Sequence, residues 1–433
     1  MVVWLITVGE PLPAIDSNNP RLLRTGTLAK RLAERGHDVT WWTSTFDHYA
    51  KVQRASKDTT YHWSNVKIRM LHSVGYKRNV SFRRFAEHAG VARKFATEAR
   101  HLAAPNVILC SLPTIELSSE AVRFGLERNI PILLDIRDLW PDVLINVAPR
   151  GLRWLSKLLL SRSLRSATNA LRFATGVIGI SDGYLEWALR YAGRSRCAAD
   201  AMFPLGYVAP SSTSAESTTA SSKLQALGID ESRILVWYVG SFGRQYDLAP
   251  VLGAARALML TGNSNVQFVI SGDGELGGRW RSLAKGLGNV VFSGWIDADE
   301  INWLRARASI GLQPYIAGAP QGLANKLFEY LSAGIPVLSS LSGENARLIG
   351  DHSCGLSYEA GSTKDFLRKL LYLLKHADKR QLMGLRGKAL FEGQFDGNIV
   401  FDGLIHHLES VAQNSARMTQ PTFAESNPSP PLR

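Results

Sequence analysis

The sequence predicts an α/β protein made of two doubly wound parallel-sheet domains, and three observations carry that expectation. Apolar strand-like runs alternate with helical periodicity from the first residues, the alternation lapses in a Ser/Thr-rich stretch near the middle, and it then begins again. A chain of 433 residues is too long for one ordinary core and suits two domains of roughly 200 residues each.

The first βαβ unit is legible residue by residue. Val2–Val8 is a near-continuous apolar strand, Leu22–Glu34 has helical spacing and stops at Gly36 as a C′ residue, and Val39–Trp42 is the next strand. "NVILCS" (Asn106–Ser111), "IPILLDIRD" (Ile130–Asp138) and "GVIGIS" (Gly176–Ser181) repeat the pattern, separated by helical, partly basic segments. Strands apolar on both faces, with helices between them, argue for a parallel sheet covered on both sides. "APSSTSAESTTASS" (Ala209–Ser222) has no apolar periodicity and reads as a flexible connector. Beyond it the strands are "RILVWYVGSFG" (Arg233–Gly243), "VQFVISGDGEL" (Val266–Leu276), "NVVFSG" (Asn289–Gly294), "SIGLQPY" (Ser309–Tyr315) and "IPVLSS" (Ile335–Ser340). The expected boundaries are residues 1–207, a linker at 208–222, and 223–395. A last helix at 396–412 should pack back on the first domain, and 413–433 should be a disordered tail. Two such halves leave a cleft at the carboxyl ends of their strands, where ligands of open α/β sheets bind.

Composition narrows the function classes. Lys and Arg exceed Asp and Glu by 50 − 37 = 13, which suits an anionic partner without choosing one. Cys110, Cys197 and Cys354 are odd in number and widely spaced, so neither a disulfide framework nor a zinc cage is indicated, and a reducing cytoplasm is expected. "MVVWLITVG" lacks a basic n-region and reads as a buried strand rather than a signal peptide. No stretch approaches the ~20 apolar residues of a membrane span.

Two patterns in the second half point to a phosphate. In "YVGSFGRQYDL", Gly240, Ser241 and Gly243 sit between a strand and a helix, where backbone N–H groups can approach an anion that Arg244 would neutralise. A tight βα turn with no ligand gives the same pattern. In "GLANKLFEYLSAGIPVLSS", Lys326 and Glu329 are three apart and share a helix face. A helix N-terminus with a lysine suits a pyrophosphate, and a carboxylate one turn on can take both hydroxyls of a ribose. An exposed ion pair is the plainer alternative.

The order "YVGSFG … FVISGDGEL … NVVFSGWIDADEINWLRARASIGLQPY … GLANKLFEYLSAGIPVLSS … CGLSY" resembles the nucleotide-binding half of family-4 glycosyltransferases of the GT-B fold, which pairs two Rossmann-like domains. "LAKRLAERGHDVTWWTS", "DIRDLWPD", "VIGISDGY" and "FPLGY" resemble the first half of that family. "GEPLP", "STFDHY", "DIRDLWPD" and "NKLFEYLSAG" are most similar to its amino-sugar, N-acetylfucosamine-type transferases of bacterial surface-polysaccharide synthesis. The resemblance implies a retaining transfer from a nucleotide sugar, a UDP-sugar above all, to a glycan or polyprenyl-diphosphate-linked acceptor.

Carried over by position, the ribose-binding glutamate falls on Glu329 and the phosphate-binding arginine on Arg244. Gly240, Ser241, Gly322 and Lys326 complete the donor side. The family's other motif acid falls on Gln321, an amide that can hydrogen-bond but carries no charge, and a lysine common in the family is replaced by Ala249. Its His-Asp pair falls on Arg137-Asp138, the expected catalytic residues, and Arg24 and His48 are the candidates for acceptor contact. No cofactor and no metal are expected. "DAD" (Asp297–Asp299) precedes "EINWLRARA" and reads as helix capping. His406-His407 read as surface histidines.

"GLRWLSKLLLSRSLRSATNALRF" (Gly151–Phe173) is basic and amphipathic, which fits either the surface of an anionic bilayer or a domain helix with a core-facing leucine side. "YKRNVSFRRFAEHAGVARKF" (Tyr76–Phe95) adds a second basic, aromatic patch. A peripheral contact at the inner face of the plasma membrane is therefore expected. A nucleic-acid-binding protein meets the charge criterion but shows no helix-turn-helix, RRM, KH or zinc-finger signature. A sugar-nucleotide epimerase of the same two-domain architecture remains the nearer alternative.

Overall fold

Every position of Val107–Leu112 and of Val266–Ser271 is buried, as expected of central strands that helices cover on both faces. The computed structural model describes residues 1–13, 15–16, 22–78, 81–147, 149–209, 218–319 and 322–419. Its contacts divide the chain into two units, Met1–Pro204 together with the chain from Phe401 onward, and Leu205–Val400.

The first unit runs β1 (Val2–Ile6), α1 (Arg24–Glu34), β2 (Asp38–Ser44), β3 (Thr59–Trp63), β4 (Val66–Leu71), α2 (Phe82–Glu98), β5 (Val107–Leu112), α3 (Ile115–Arg128), β6 (Ile132–Ile136), α4 (Asp142–Val147), α5 (Arg153–Leu159), α6 (Ser161–Phe173), β7 (Gly176–Gly179), α7 (Asp182–Ala192) and β8 (Ala201–Met202). Its eight strands lie in the order β3-β4-β2-β1-β5-β6-β7-β8. All neighbours are parallel except the edge strand β3, which pairs antiparallel with β4. Alternation along β1 sends Trp4 and Ile6 into one core layer with Trp42, Phe95 and Leu134, and Val3 and Leu5 into the other. That second layer is completed by Phe401, Leu404, Ile405 and Leu408.

The second unit runs α8 (Thr218–Ala226), β9 (Ile234–Val239), α9 (Ala249–Leu260), β10 (Val266–Ser271), α10 (Gly277–Leu283), β11 (Val290–Gly294), α11 (Ala298–Arg307), β12 (Ile310–Gln313), α12 (Asn325–Ser332), β13 (Val337–Ser339), α13 (Glu344–Asp351), β14 (Gly355–Ser357), α14 (Thr363–Lys375) and α15 (Ala377–Leu390). The helix α16 (Gly397–Thr419) follows and carries the chain into the first unit at Phe401. The second sheet is wholly parallel, in the order β11-β10-β9-β12-β13-β14. Both sheets therefore reverse their strand order once, between β1 and β5 and between β9 and β12. Each reversal opens a crevice at the carboxyl ends of its two strands.

Several boundaries differ from those the sequence suggests. Tyr207 belongs to the second unit, because its ring meets Phe391 at 6.1 Å and its carbonyl accepts from the Gly397 amide at 2.9 Å. Within the expected linker, residues 210–217 lie outside the described ones, but α8 already begins at Thr218 because Ala220 and Leu224 are drawn into the second core. The last helix runs past 412 to Thr419, and 420–433 lie outside the described residues. Gly151–Phe173 is not one helix: it breaks at Leu160 into α5, with no buried residue, and α6, which buries Ala167, Ala170 and Leu171. Of the two expected surface histidines, His406 is exposed, while His407 is half-buried, its Nε2 3.1 Å from the Ala199 carbonyl and its ring 5.6 Å from Phe203.

Candidate functional site

In the second unit the crevice between β9 and β12 is bordered by the turn after β9 and by α12. The turn is held from beneath by the "SGDGEL" loop. The Gly240 amide donates to the Ser271 carbonyl at 3.0 Å, the Phe242 amide to the Asp273 carbonyl at 2.8 Å, and the Leu276 amide to the Phe242 carbonyl at 3.0 Å. A Cβ at Gly272, whose φ is +128°, would lie 1.8 Å from the Gly240 carbonyl oxygen, so only glycine lets these two loops nest. The Tyr238 hydroxyl donates to the Ser241 carbonyl at 2.8 Å. Ser241 is left exposed, and Arg244 reaches solvent with an 82% exposed side chain paired to Glu275 Oε1 at 2.6 Å.

The eight-residue helix α12 has no side-chain cap at Ala324, whose backbone carbonyl accepts from the Leu327 amide at 2.9 Å. Glu329 is 4% exposed, and its Oε2 accepts from Lys326 Nζ at 2.6 Å. The exposed-pair alternative therefore fails on its acidic half: a nearly buried carboxylate needs a cation or donors to be tolerated, and Lys326 is one. Gly322 is half-buried at the approach to the helix, and Gln321 lies outside the described residues. Tyr330, which the sequence reading did not single out, fixes the helix. Its ring packs on Gly311, where a Cβ would come within 2.5 Å of it, and its hydroxyl sits among the backbone groups of Trp237, Val239 and Leu312.

In the first unit the candidates separate into two groups. Arg24 and Arg137 turn inward to a buried charge network. Asp135 accepts from Arg24 Nε at 3.0 Å and from Arg137 Nε at 2.7 Å. Arg137 also pairs with Glu10 and donates to Thr25 Oγ1 at 2.9 Å, and Arg24 donates to the Pro204 carbonyl. Glu10 in turn accepts from the Thr25 amide at 3.0 Å and the Gly26 amide at 3.3 Å, closing the N-terminus of α1 where Leu23 has no cap to offer. Burial would raise the Asp135 carboxyl, but the two guanidiniums outweigh it and hold it below the usual carboxylate range. Glu10 and Asp135 went unnoticed in the sequence; the signal for Asp135 is a lone acid inside an apolar strand.

Of the other two, His48 lines a cavity of about 200 Å³ at the reversal between β1 and β5, and Asp138 is not part of its lining. Val8 and Gly9 come from the end of β1, Phe46 and His48 from that of β2, and Pro113 and Thr114 from that of β5, with Tyr76 and Arg84 across from them. His48 Nδ1 lies 2.5 Å from the Tyr76 hydroxyl. Arg84 lies over the Trp140 ring at 4.5 Å and the Tyr76 ring at 5.7 Å, so this arginine of the second basic patch points inward. Burial, with Lys51 and Arg84 nearby, lowers the His48 pKa to about 4. Burial lowers that of His88 to about 3, and its Nδ1 has no hydrogen-bond partner. Burial also raises the Asp138 carboxyl above the usual range, against the opposing pull of the Leu139 amide and Arg84.

Asp297 caps α11 in a reciprocal box with Glu300, at 2.9 and 2.8 Å, as its spacing suggests. Among the described residues no group of three or more His, Cys, Asp or Glu could hold a metal ion, and no helix is long and apolar enough to cross a membrane.

Residues 233–376 match the family model described as glycosyl transferases group 1. No curated protein matches the chain. Sucrose-phosphate synthase of Thermosynechococcus elongatus superposes with a TM-score of 0.71 at 15% identity, covering 95% of this chain and 99% of that one. The chain has the GT-B fold. Other GT-B structures it resembles are Anabaena HepE in complex with UDP (TM-score 0.66, 16% identity, covering 94% and 99%) and the trehalose 6-phosphate synthase of Burkholderia multivorans (0.70, 13%, covering 97% and 98%). The family match falls within the GT-B unit that holds the turn at Gly240 and α12.

Proposed function

We propose that the protein is a retaining glycosyltransferase that moves a sugar, an N-acetylated amino sugar among the candidates, from a UDP-sugar to a glycan or polyprenyl-diphosphate-linked acceptor of cell-surface polysaccharide synthesis. The observation that carries the reading is the nearly buried Glu329, joined to Lys326 on a helix without a side-chain cap at the strand-order reversal of the second sheet. Glu329 takes the ribose hydroxyls. Lys326, the α12 N–H groups and the Gly240–Ser241 turn receive the diphosphate, and Arg244 exchanges Glu275 for it. The family match over the same unit and the UDP bound by HepE support the choice of donor.

In the transfer, the bond from the sugar's anomeric carbon to the diphosphate oxygen breaks while the acceptor oxygen bonds to that carbon. The acceptor's proton passes to the departing phosphate, so no protein nucleophile is required and positioning is the main task. Asp138 serves the acceptor side beside the aromatic-lined cavity, with His48 among its contacts. Arg137, fixed by Asp135 and Glu10, positions the segment that carries Asp138. Lys326 and Arg244 offset the leaving charge, so no tightly bound metal is needed.

Calorimetry with UDP, GDP and TDP and their sugars, followed by UDP release with and without a sugar-lipid acceptor, tests the reading. UDP-sugar should bind, and UDP should appear only when acceptor is present. Failure of every nucleotide to bind overturns it, and acceptor-independent conversion would indicate an epimerase.

A further inference from the structure

The first unit carries a surface that donor binding does not use. No residue of α5 is buried, and Leu152, Trp154, Leu155, Leu158 and Leu159 are 51%, 65%, 38%, 63% and 74% exposed. At 100° per residue, positions 154, 155, 158 and 159 fall within an arc of about 140°. Such a stripe in water is unfavourable, since each large apolar side chain left exposed forgoes the free energy of its burial. The next helix shows that the sequence can bury its apolar residues here when they have a core to meet: α6 places Ala167, Ala170 and Leu171 inside. The charges next to the stripe have one sign. Arg153, Lys157, Arg162, Arg165 and Arg172 fall between Gly151 and Phe173 without a single Asp or Glu.

We propose that α5 and the start of α6 form a docking face for an anionic lipid bilayer. Trp154 and the leucines would enter the headgroup boundary. Lys157, exposed beside the stripe, and the exposed Arg162 and Arg165 at the start of α6 would meet lipid phosphates. A second copy of the chain suits the face less well: a two-fold contact would set cations against cations, with no acid in the segment to pair them. The contact is peripheral, since no described helix can cross a membrane. It is independent of the donor site, which lies in the other unit.

The test uses the full chain with vesicles of phosphatidylcholine alone or mixed equally with phosphatidylglycerol. The protein should sediment with the mixed vesicles only, and less so as salt is raised. Trp154→Ser with Leu158→Ser and Leu159→Ser, or Lys157→Glu with Arg162→Glu and Arg165→Glu, all of them exposed positions, should each lower the partition coefficient at least about tenfold. UDP binding and the melting temperature should be unchanged in both variants, because the substituted residues are not part of a core. A wild type that binds neither vesicle, or variants that sediment as it does, overturns the proposal. So does a dimer in solution that the serine substitutions dissociate.

Discussion

The Val239 amide donates to the Tyr330 phenolic oxygen across 3.3 Å, and the same oxygen lies 3.2 Å from the carbonyls of Trp237 and Leu312. One side chain thus ties α12 to both strands that flank the crevice, one residue before Gly240 and one residue after Glu329. Tyr330→Phe keeps the ring on Gly311 and removes only these bonds. It should cost about 1–3 kcal/mol of stability and weaken UDP binding more than substitution of an exposed residue does. Thermal unfolding and calorimetry measure the two effects, and unaltered UDP affinity would show that the helix is positioned otherwise.

Glu329→Ala removes the carboxylate assigned to the ribose. Its buried, charge-assisted bonds predict a loss of about 2–4 kcal/mol in nucleotide binding. Wild-type affinity in that variant would displace the donor from α12.

Asp135→Asn leaves Arg24 and Arg137 with one carboxylate where they had two. Unpaired buried charge is costly, so stability should fall by about 3–5 kcal/mol, read as a drop in melting temperature. An unchanged melting temperature would mean that water reaches the guanidiniums.

Acid should weaken the first unit through His88. Its folded pKa, about 3, lies below the unfolded ~6.5. Below ~6.5 the unfolded chain takes up a proton that the folded one refuses, so stability is complete above that pH and declines as pH falls towards about 3. Between about pH 7 and about pH 5 this amounts to about 2 kcal/mol. Denaturant titrations at both pH values should show the decline in the wild type and a flatter dependence in His88→Gln.

What the sequence disclosed depends on how local its cause is. β9, β10 and β12 are legible because they are buried on both faces and read as short, mainly apolar runs. The cap at Asp297 is legible because its partner Glu300 is three residues away. β3 was missed: "TTYHW" is an edge strand of alternating exposure, and only its pairing with β4 defines it. Arg24 could not be joined to Asp135, nor Glu10 to Arg137, from sequence, since those bonds span 111 and 127 residues. Lys326 and Glu329 were legible as a pair, but the burial of Glu329 was not, because it depends on Tyr330 holding the helix against the sheet.

The route of α16 has a consequence for how the protein is made. Phe401, Leu404, Ile405 and Leu408 wall one side of the first unit's core, yet they leave the ribosome about 200 residues after that unit's own strands. The second unit, Leu205–Val400, is synthesised in the interval and can complete its core first. Nascent chains stalled before residue 400 should therefore carry an open apolar strip over Val3, Leu5 and Leu28 and call on chaperones, while those released at full length should not.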